Sequence, residues 1–290
     1  MILVVGSTGS LGMAVVKGLA ASHRNVVALV RDASTDKAKD LRSAGAVLVM
    51  GDLKARSTLD AALKGIDTVV CTASSTMSRR EGDSIETVDQ MGVQNLIDAA
   101  EAASTKHFIF ISFSRNIGND FPLAAAKRAA ERRLESSKIK YTILLPSYFA
   151  ETWFSPAVGF DAGSGRIRIY GDGKAKVSYV TIEDVAKATI ACVHNPKVCR
   201  KAIPIGGLKP ISQLDAVSLV EQATGRKMQV EFMTADQIAG ARKGTTDALT
   251  GSFLGLFDSL AKGDEIPAGW SEMLDVKPQS LGDWFLKSQK

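Results

Sequence analysis

Short apolar runs punctuate the first half of the chain: "ILVV" (2–5), "NVVALV" (25–30), "AVLVM" (46–50), "DTVVC" (67–71), "HFIFI" (107–111) and "YTILL" (141–145). They are rich in β-branched or aromatic residues and show no polar alternation, which predicts strands buried on both faces. Between them the period changes. Ser10 to about Ser22 reads as a helix, and so does "TDKAKDLRSAG" (35–45), with Gly45 as its stop. Ile85, Val88, Gly92, Leu96 and Ala99 recur at helical spacing before "HFIFI", and "FPLAAAKRAAERRLE" (121–135) is a further helix after it. Such alternation predicts an α/β fold, a parallel sheet with helices on both faces.

After Pro146 the pattern loosens. "SPAVGFDAGSGRIRIYGDGKAKVSYV" is glycine-rich with short alternating strands, and "TIEDVAKATIACV" (181–193) is a helix with Thr181 as its cap. The expected division is a main α/β domain over residues 1–146 and a smaller α/β lobe over 147–290. That lobe should lie over the carboxyl ends of the strands and interleave in part with the main sheet. In the tail, Leu249, Phe253, Leu256 and Leu260 share one helical face and should pack into a core.

Composition narrows the class. The 290 residues are 45% hydrophobic and 23% charged, ordinary for a globular chain, and the net charge of +5 is spread along it. No apolar run is long enough to span a bilayer, and "MILVVG" enters a strand with no basic leader before it. Cys71, Cys192 and Cys199 have no metal-like spacing. The expectation is a cytoplasmic protein with reduced thiols and no membrane partner. His23, His107 and His194 also match no metal site, and His107, opening an apolar strand, reads as a structural histidine. No helix-turn-helix or zinc-finger pattern is present, so no nucleic-acid partner is expected.

The strongest chemical signal is "VVGSTGSLG". Gly6, Gly9 and Gly12 lie between the first strand and the first helix. Gly6 permits the turn, Gly9 admits a pyrophosphate to the backbone, and Gly12 lets helix approach strand. With Ser7, Thr8, Ser10 and Leu11 they form a phosphate cradle at a helix N-terminus. The second strand ends "ALVRD". Arg31 suits a 2′-phosphate and Asp32 reads as turned to solvent or to a helix cap, so NADP(H) is expected as cofactor, with NAD(H) the lesser alternative. Asp52 and Leu53, in "GDL" after the third strand, either meet the adenine or only form a turn. Thr72, Ala73 and Ser74 follow the fourth strand and Pro146 closes the sixth, all where the cofactor should pass. Ser112 and Ser114 follow the fifth, and Ser112 either bonds cofactor or substrate or caps.

These segments, with "VQNLIDAAEAASTKHFIFIS", "AAAKRAAERRLESSKIKYTILLP" and "VSYVTIEDVAKA", resemble the NmrA-like group of atypical short-chain dehydrogenase/reductases from Met1 to about Ala235. The resemblance implies that residues 1–146 form an NAD(P)-binding Rossmann-type doubly wound parallel sheet with NADP(H) in its cleft, and the group contains NADPH-dependent quinone reductases, triphenylmethane-type dye reductases and NADP-sensing regulators. By that resemblance Lys127 should bond the nicotinamide ribose; its alternative is a solvated helix lysine beside Arg128, Arg132 and Arg133. Ordinary members of the wider class carry Tyr-x-x-x-Lys, and here the tyrosine position holds Leu123. Hydride delivered to a simple ketone makes an alkoxide that needs an acid at once, whereas a quinone or other conjugated acceptor spreads the charge. Tyr148, just after the sixth strand, is the substitute donor in view, and Phe149 and Trp153 could stack on a flat substrate. Two functions stay open: hydride transfer to a quinone-like or other conjugated small molecule, and a non-catalytic NADP(H) sensor controlling a regulatory protein.

Overall fold

The computed structural model describes residues 1–78, 80–267 and 269–288. Strand and helix alternate through β1 (Ile2–Val5), α1 (Ser10–Ala21), β2 (Val26–Val30), α2 (Asp36–Ser43), β3 (Val47–Met50), α3 (Arg56–Ala62) and β4 (Thr68–Cys71). A π-helix over Ile85–Gly92 runs straight into α4 (Val93–Ala102), and β5 (His107–Ile111), α5 (Pro122–Glu135) and β6 (Lys140–Pro146) follow. The remainder comprises α6 (Ala150–Trp153), β7 (Phe160–Asp161), β8 (Arg166–Tyr170), β9 (Lys176–Val177), α7 (Ile182–Cys192), β10 (Lys201–Ile205), β11 (Ile211–Ser212), α8 (Gln213–Thr224), β12 (Gln229–Met233), α9 (Ala235–Lys243), α10 (Ala248–Lys262), α11 (Trp270–Leu274) and α12 (Leu281–Ser288).

Seven strands form one parallel sheet in the order β10-β6-β5-β4-β1-β2-β3. β1 shows why its run is apolar throughout. Ile2 and Val4 join the core under α1 and α7, while Leu3 and Val5 join the core under α3, α4 and α5. The seventh strand, β10, comes from beyond residue 146 and adds to β6. β12, β8 and β7 make a separate small sheet. A third core lies beyond the ends of β5 and β6, where Phe121, Leu123, Tyr148 and Trp153 meet Tyr170 and Leu260.

Two expectations need correction. The run 46–50 is not a doubly buried strand: β3 bonds only to β2, and Val47 and Met50 are 66% and 54% exposed. Sheet order, which a local pattern does not encode, puts it at the edge. The helical spacing from Ile85 hides the π-helix, whose wider turn buries Asp89 beside Val88 and Gly92. Elsewhere local signals hold. Thr181 Oγ1 accepts from Asp184 N at 3.1 Å, and Gly45 follows α2 with φ +99°.

Candidate functional site

The chain folds to one side of β1 through β2 and β3 and to the other through β4, β5 and β6. In open α/β sheets the crevice at such a reversal is the ligand site, outside the carboxyl ends of the strands. Gly6 follows β1 there with φ +80°, and a Cβ on it would stand 2.7 Å from Ala73 N. A Cβ on Gly12 would stand 2.2 Å from Gly6 O. Both positions are therefore closed by backbone. At Gly9 the nearest atom is Gly6 O at 3.3 Å, and the residue is exposed. The first turn of α1 carries no acidic side chain, and its amides have no partner within the helix.

The other residues of the cradle divide into braces and open positions. Ser7 is buried and donates to Leu29 O at 2.7 Å, tying the turn to β2. Thr72 Oγ1 donates to Val5 O at 3.1 Å, tying it to the end of β4. Thr8 and Leu11 are half-buried and Ser10 and Ser74 are exposed. Ala73 and Pro146 are buried, and Pro146 O accepts from Ser114 N at 2.8 Å. Asp52 Oδ1 accepts from Lys54 N at 2.9 Å, an aspartate turn leading to α3, and Leu53 packs inward.

At the end of β2, Asp32 Oδ1 takes both Ser34 N and Ser34 Oγ, at 2.8 and 2.6 Å. Arg31 turns the other way and pairs with Asp83 at 2.5 Å. Lys54 Nζ and Ser78 Oγ bond the same carboxylate. Burial opposes the charge on Asp83, but the bonds from Arg31, Lys54 and Ser78 outweigh it and hold this carboxyl well below the usual range.

Lys127 is not a solvated helix lysine. Its side chain is 7% exposed, with Nζ 3.3 Å from Ile111 O, 3.5 Å from Ala73 O and 3.8 Å from Asp89 Oδ1. It thus lies between the ends of β4 and β5, against the π-helix. Asp89 Oδ2 takes Ser75 N and Ser75 Oγ, while Oδ1 accepts no hydrogen bond among the described residues. Leu123, one helical turn before Lys127, is buried beneath α10, and its N–H donates to Ser252 Oγ at 3.0 Å.

The two hydroxyls considered for chemistry are both engaged. Ser112 donates to Glu131 Oε1 at 2.5 Å, a carboxylate that Arg115 and Arg128 also pair with. Tyr148, the substitute acid of the sequence reading, is buried and donates to Leu256 O at 3.1 Å. Burial pushes its phenol well above the ordinary value, with the negative charge of Asp264 adding to it. Trp153 meets Tyr148 edge-on at 4.7 Å between centroids, and Phe149 packs on the α1–α7 core. Arg128, expected in solvent, is only 13% exposed, and its guanidinium donates to Phe113 O and Ser114 O.

Sequence reasoning missed several partners. Glu131 sits one turn after Lys127 and was legible only as helix surface. Asp264 accepts from Ser114 and Ser147 at 2.7 Å each and from Asn116 at 2.9 Å, across more than a hundred residues. Among the described residues no group of three metal-ligating side chains occurs, and no helix is long and apolar enough to cross a membrane.

Comparison with known proteins identifies the family and the fold. A family model described as the NmrA-like family matches residues 1–271. The photosystem II assembly factor Ycf39 of Trieres chinensis is 31% identical over 231 residues, 79% of this chain and 70% of its own. An NAD(P)H azoreductase of Xenophilus azovorans is 29% identical over 247 residues, 84% of this chain and 81% of its own. Among solved structures, the NADPH-dependent quinone oxidoreductase of Escherichia coli complexed with NADPH superposes with TM-score 0.82 at 21% identity, with 100% of both chains covered. The triphenylmethane reductase of Citrobacter complexed with NADP(H) gives 0.80 at 19%, again over 100% of both. At such identities the likeness is one of fold.

Proposed function

The chain belongs to the NmrA-like family, and from that premise we propose that it is an NADP(H)-dependent oxidoreductase acting on a quinone-like or otherwise conjugated small molecule. The residues present fit the cofactor: Gly9 is open where its neighbours are closed, and the α1 amides face the same crevice. Gly9 and those amides would hold the pyrophosphate, Arg31 the 2′-phosphate and Lys127 the nicotinamide ribose. When bound, NADPH supplies a hydride from C4 of its nicotinamide.

The observation that carries the choice of substrate class is the pair Leu123 and Lys127. The lysine is held at the crevice, and the position one turn before it offers no proton. Ser112 and Tyr148 give theirs to Glu131 and Leu256. A site so arranged suits acceptors whose reduced form carries its charge until water protonates it, and not simple ketones. Lys127 lends positive charge to the developing anion. The test is steady-state NADPH oxidation across quinones, azo dyes and triphenylmethane dyes, with simple ketones alongside. Turnover of the conjugated acceptors supports the assignment, and reduction of ketones alone overturns it.

The same engaged hydroxyls favour a second reading, a non-catalytic protein whose NADP(H) occupancy controls a partner. One relative is named for assembly and not for turnover. Tight NADPH binding with no turnover of any acceptor in that panel selects this reading.

A further inference from the structure

Resting on the NADP(H) reading above, we propose that the Asp83 carboxylate occupies the seat of the cofactor's 2′-phosphate, and that NADP(H) binds by displacing it while NAD(H) does not.

Arg31 follows β2 and Lys54 follows β3, so their cations come from neighbouring strand ends beside the glycine turn. Both converge on one anion, together with the Ser78 hydroxyl. A planar guanidinium, an ammonium and a hydroxyl are the donors a phosphate monoester takes. The anion that holds them comes from far away in sequence. Asp83 is 52 residues from Arg31 and 29 from Lys54, in the connection between β4 and the π-helix. Its side chain is 2% exposed, while those of Arg31 and Lys54 are 33% and 29% exposed. The carboxylate therefore lies inside the cationic pair and not beside it. Around it, Arg80, Glu81 and Gly82 are exposed and add nothing to either core of the main sheet.

Charge decides what can take the seat. A 2′-phosphate brings more negative charge and more acceptor oxygens than a carboxylate, so the exchange favours NADP(H). The 2′-hydroxyl of NAD(H) is neutral and leaves the two ion pairs intact. Asp83 is thus a specificity-determining residue. It fills the seat when no phosphate is present, and its expulsion reports the 2′-phosphate to the segment that carries it.

Titration calorimetry with NADPH, NADH and 2′,5′-ADP tests this on the unmutated protein, Asp83→Asn and Asp83→Ser. Removing the competing charge should tighten NADPH and 2′,5′-ADP about tenfold in both variants and change NADH by less than about twofold. Amide exchange of residues 80–84 in the unmutated protein should rise on adding NADPH and stay unchanged with NADH. Weaker NADPH binding in both variants, or equal shifts for NADPH and NADH, overturns the proposal and makes Asp83 a loop clasp, while a preference of the unmutated protein for NADPH leaves the NADP(H) reading standing. If the unmutated protein binds neither dinucleotide, or both equally, that reading fails and the proposal fails with it.

Discussion

Lys127 Nζ stands 3.8 Å from Asp89 Oδ1, with the two side chains 7% and 0% exposed. A charge pair removed from water this far contributes little net stability, yet loss of one partner strands the other. Lys127→Met should therefore destabilise the protein by about 3–5 kcal/mol, read from urea unfolding. Lys127→Met with Asp89→Asn should recover most of that loss, because the amide oxygen still accepts from Ser75. NADPH binding separates the two roles of the lysine. If it is a ribose clamp, the double variant is stable but binds NADPH about 1.5–3 kcal/mol more weakly. Full affinity in that double variant would leave Lys127 with a structural role alone.

The three glycines of the turn should fail differently. A methyl on Gly12 would fall 2.2 Å from Gly6 O, so Gly12→Ala must push helix from strand and should cost at least about 1–3 kcal/mol. Gly9 meets only Gly6 O, at 3.3 Å, on an exposed turn. Gly9→Val should keep its unfolding midpoint within a few degrees and lose both NADPH and NADH. Calorimetry on the folded Gly9 variant is the check, and retained binding there would make the motif purely structural.

Particular residues show what the sequence could and could not disclose. The glycine turn, the Thr181 cap and the strand runs are local: each depends on residues within one turn or one strand, and each is where the pattern puts it. The edge position of β3 and the π-helix at Ile85 escape because sheet order and a change of helical pitch leave apolar spacing almost unaltered. The residues around the site escape for a different reason. Asp83, Asp89 and Asp264 meet Arg31, Lys127 and Ser147 through the fold, across 52, 38 and 117 residues. No spacing rule marks them. Leu123 was legible as a missing acid, but its cover by Ser252 on α10 was not.

His107 should make the protein acid-sensitive. Thr142 Oγ1 gives its proton to Val198 O, so the imidazole Nε2, 2.8 Å away, must donate to Thr142. Burial, with His194 and Lys140 nearby, pushes the ring's pKa down to about 4. Between the ordinary imidazole value and about 4, the unfolded chain takes up a proton that the folded chain refuses. The stability contributed is present above about pH 6.5 and lost as pH falls through 4, by roughly 3 kcal/mol. His107→Gln keeps a donor to Thr142 and should flatten this part of the stability profile, measured by urea unfolding from pH 7 to 4. An unchanged slope would show that other groups set the acid response.

Asp264 bolts the segment after α10 to the crevice. Its carboxylate takes Ser114 and Asn116 beyond β5 and Ser147 beyond β6, and it is 1% exposed. Asp264→Ala would leave the Ser114 and Ser147 hydroxyls without an acceptor, Asn116 keeping Glu265 O, and should cost about 3 kcal/mol or more. Asp264→Asn keeps the shape but has one acceptor oxygen where three donors converge, so about 1–3 kcal/mol is expected. The location of the loss matters more than its size. α10 covers Leu123 through Ser252 and closes on Tyr148 through Leu256 O. Loosening the bolt should therefore raise amide exchange across residues 248–262 before it does so in β1, β4 or β5. Exchange rising evenly through the sheet would mean that Asp264 supports the whole fold and is not a local fastening of α10.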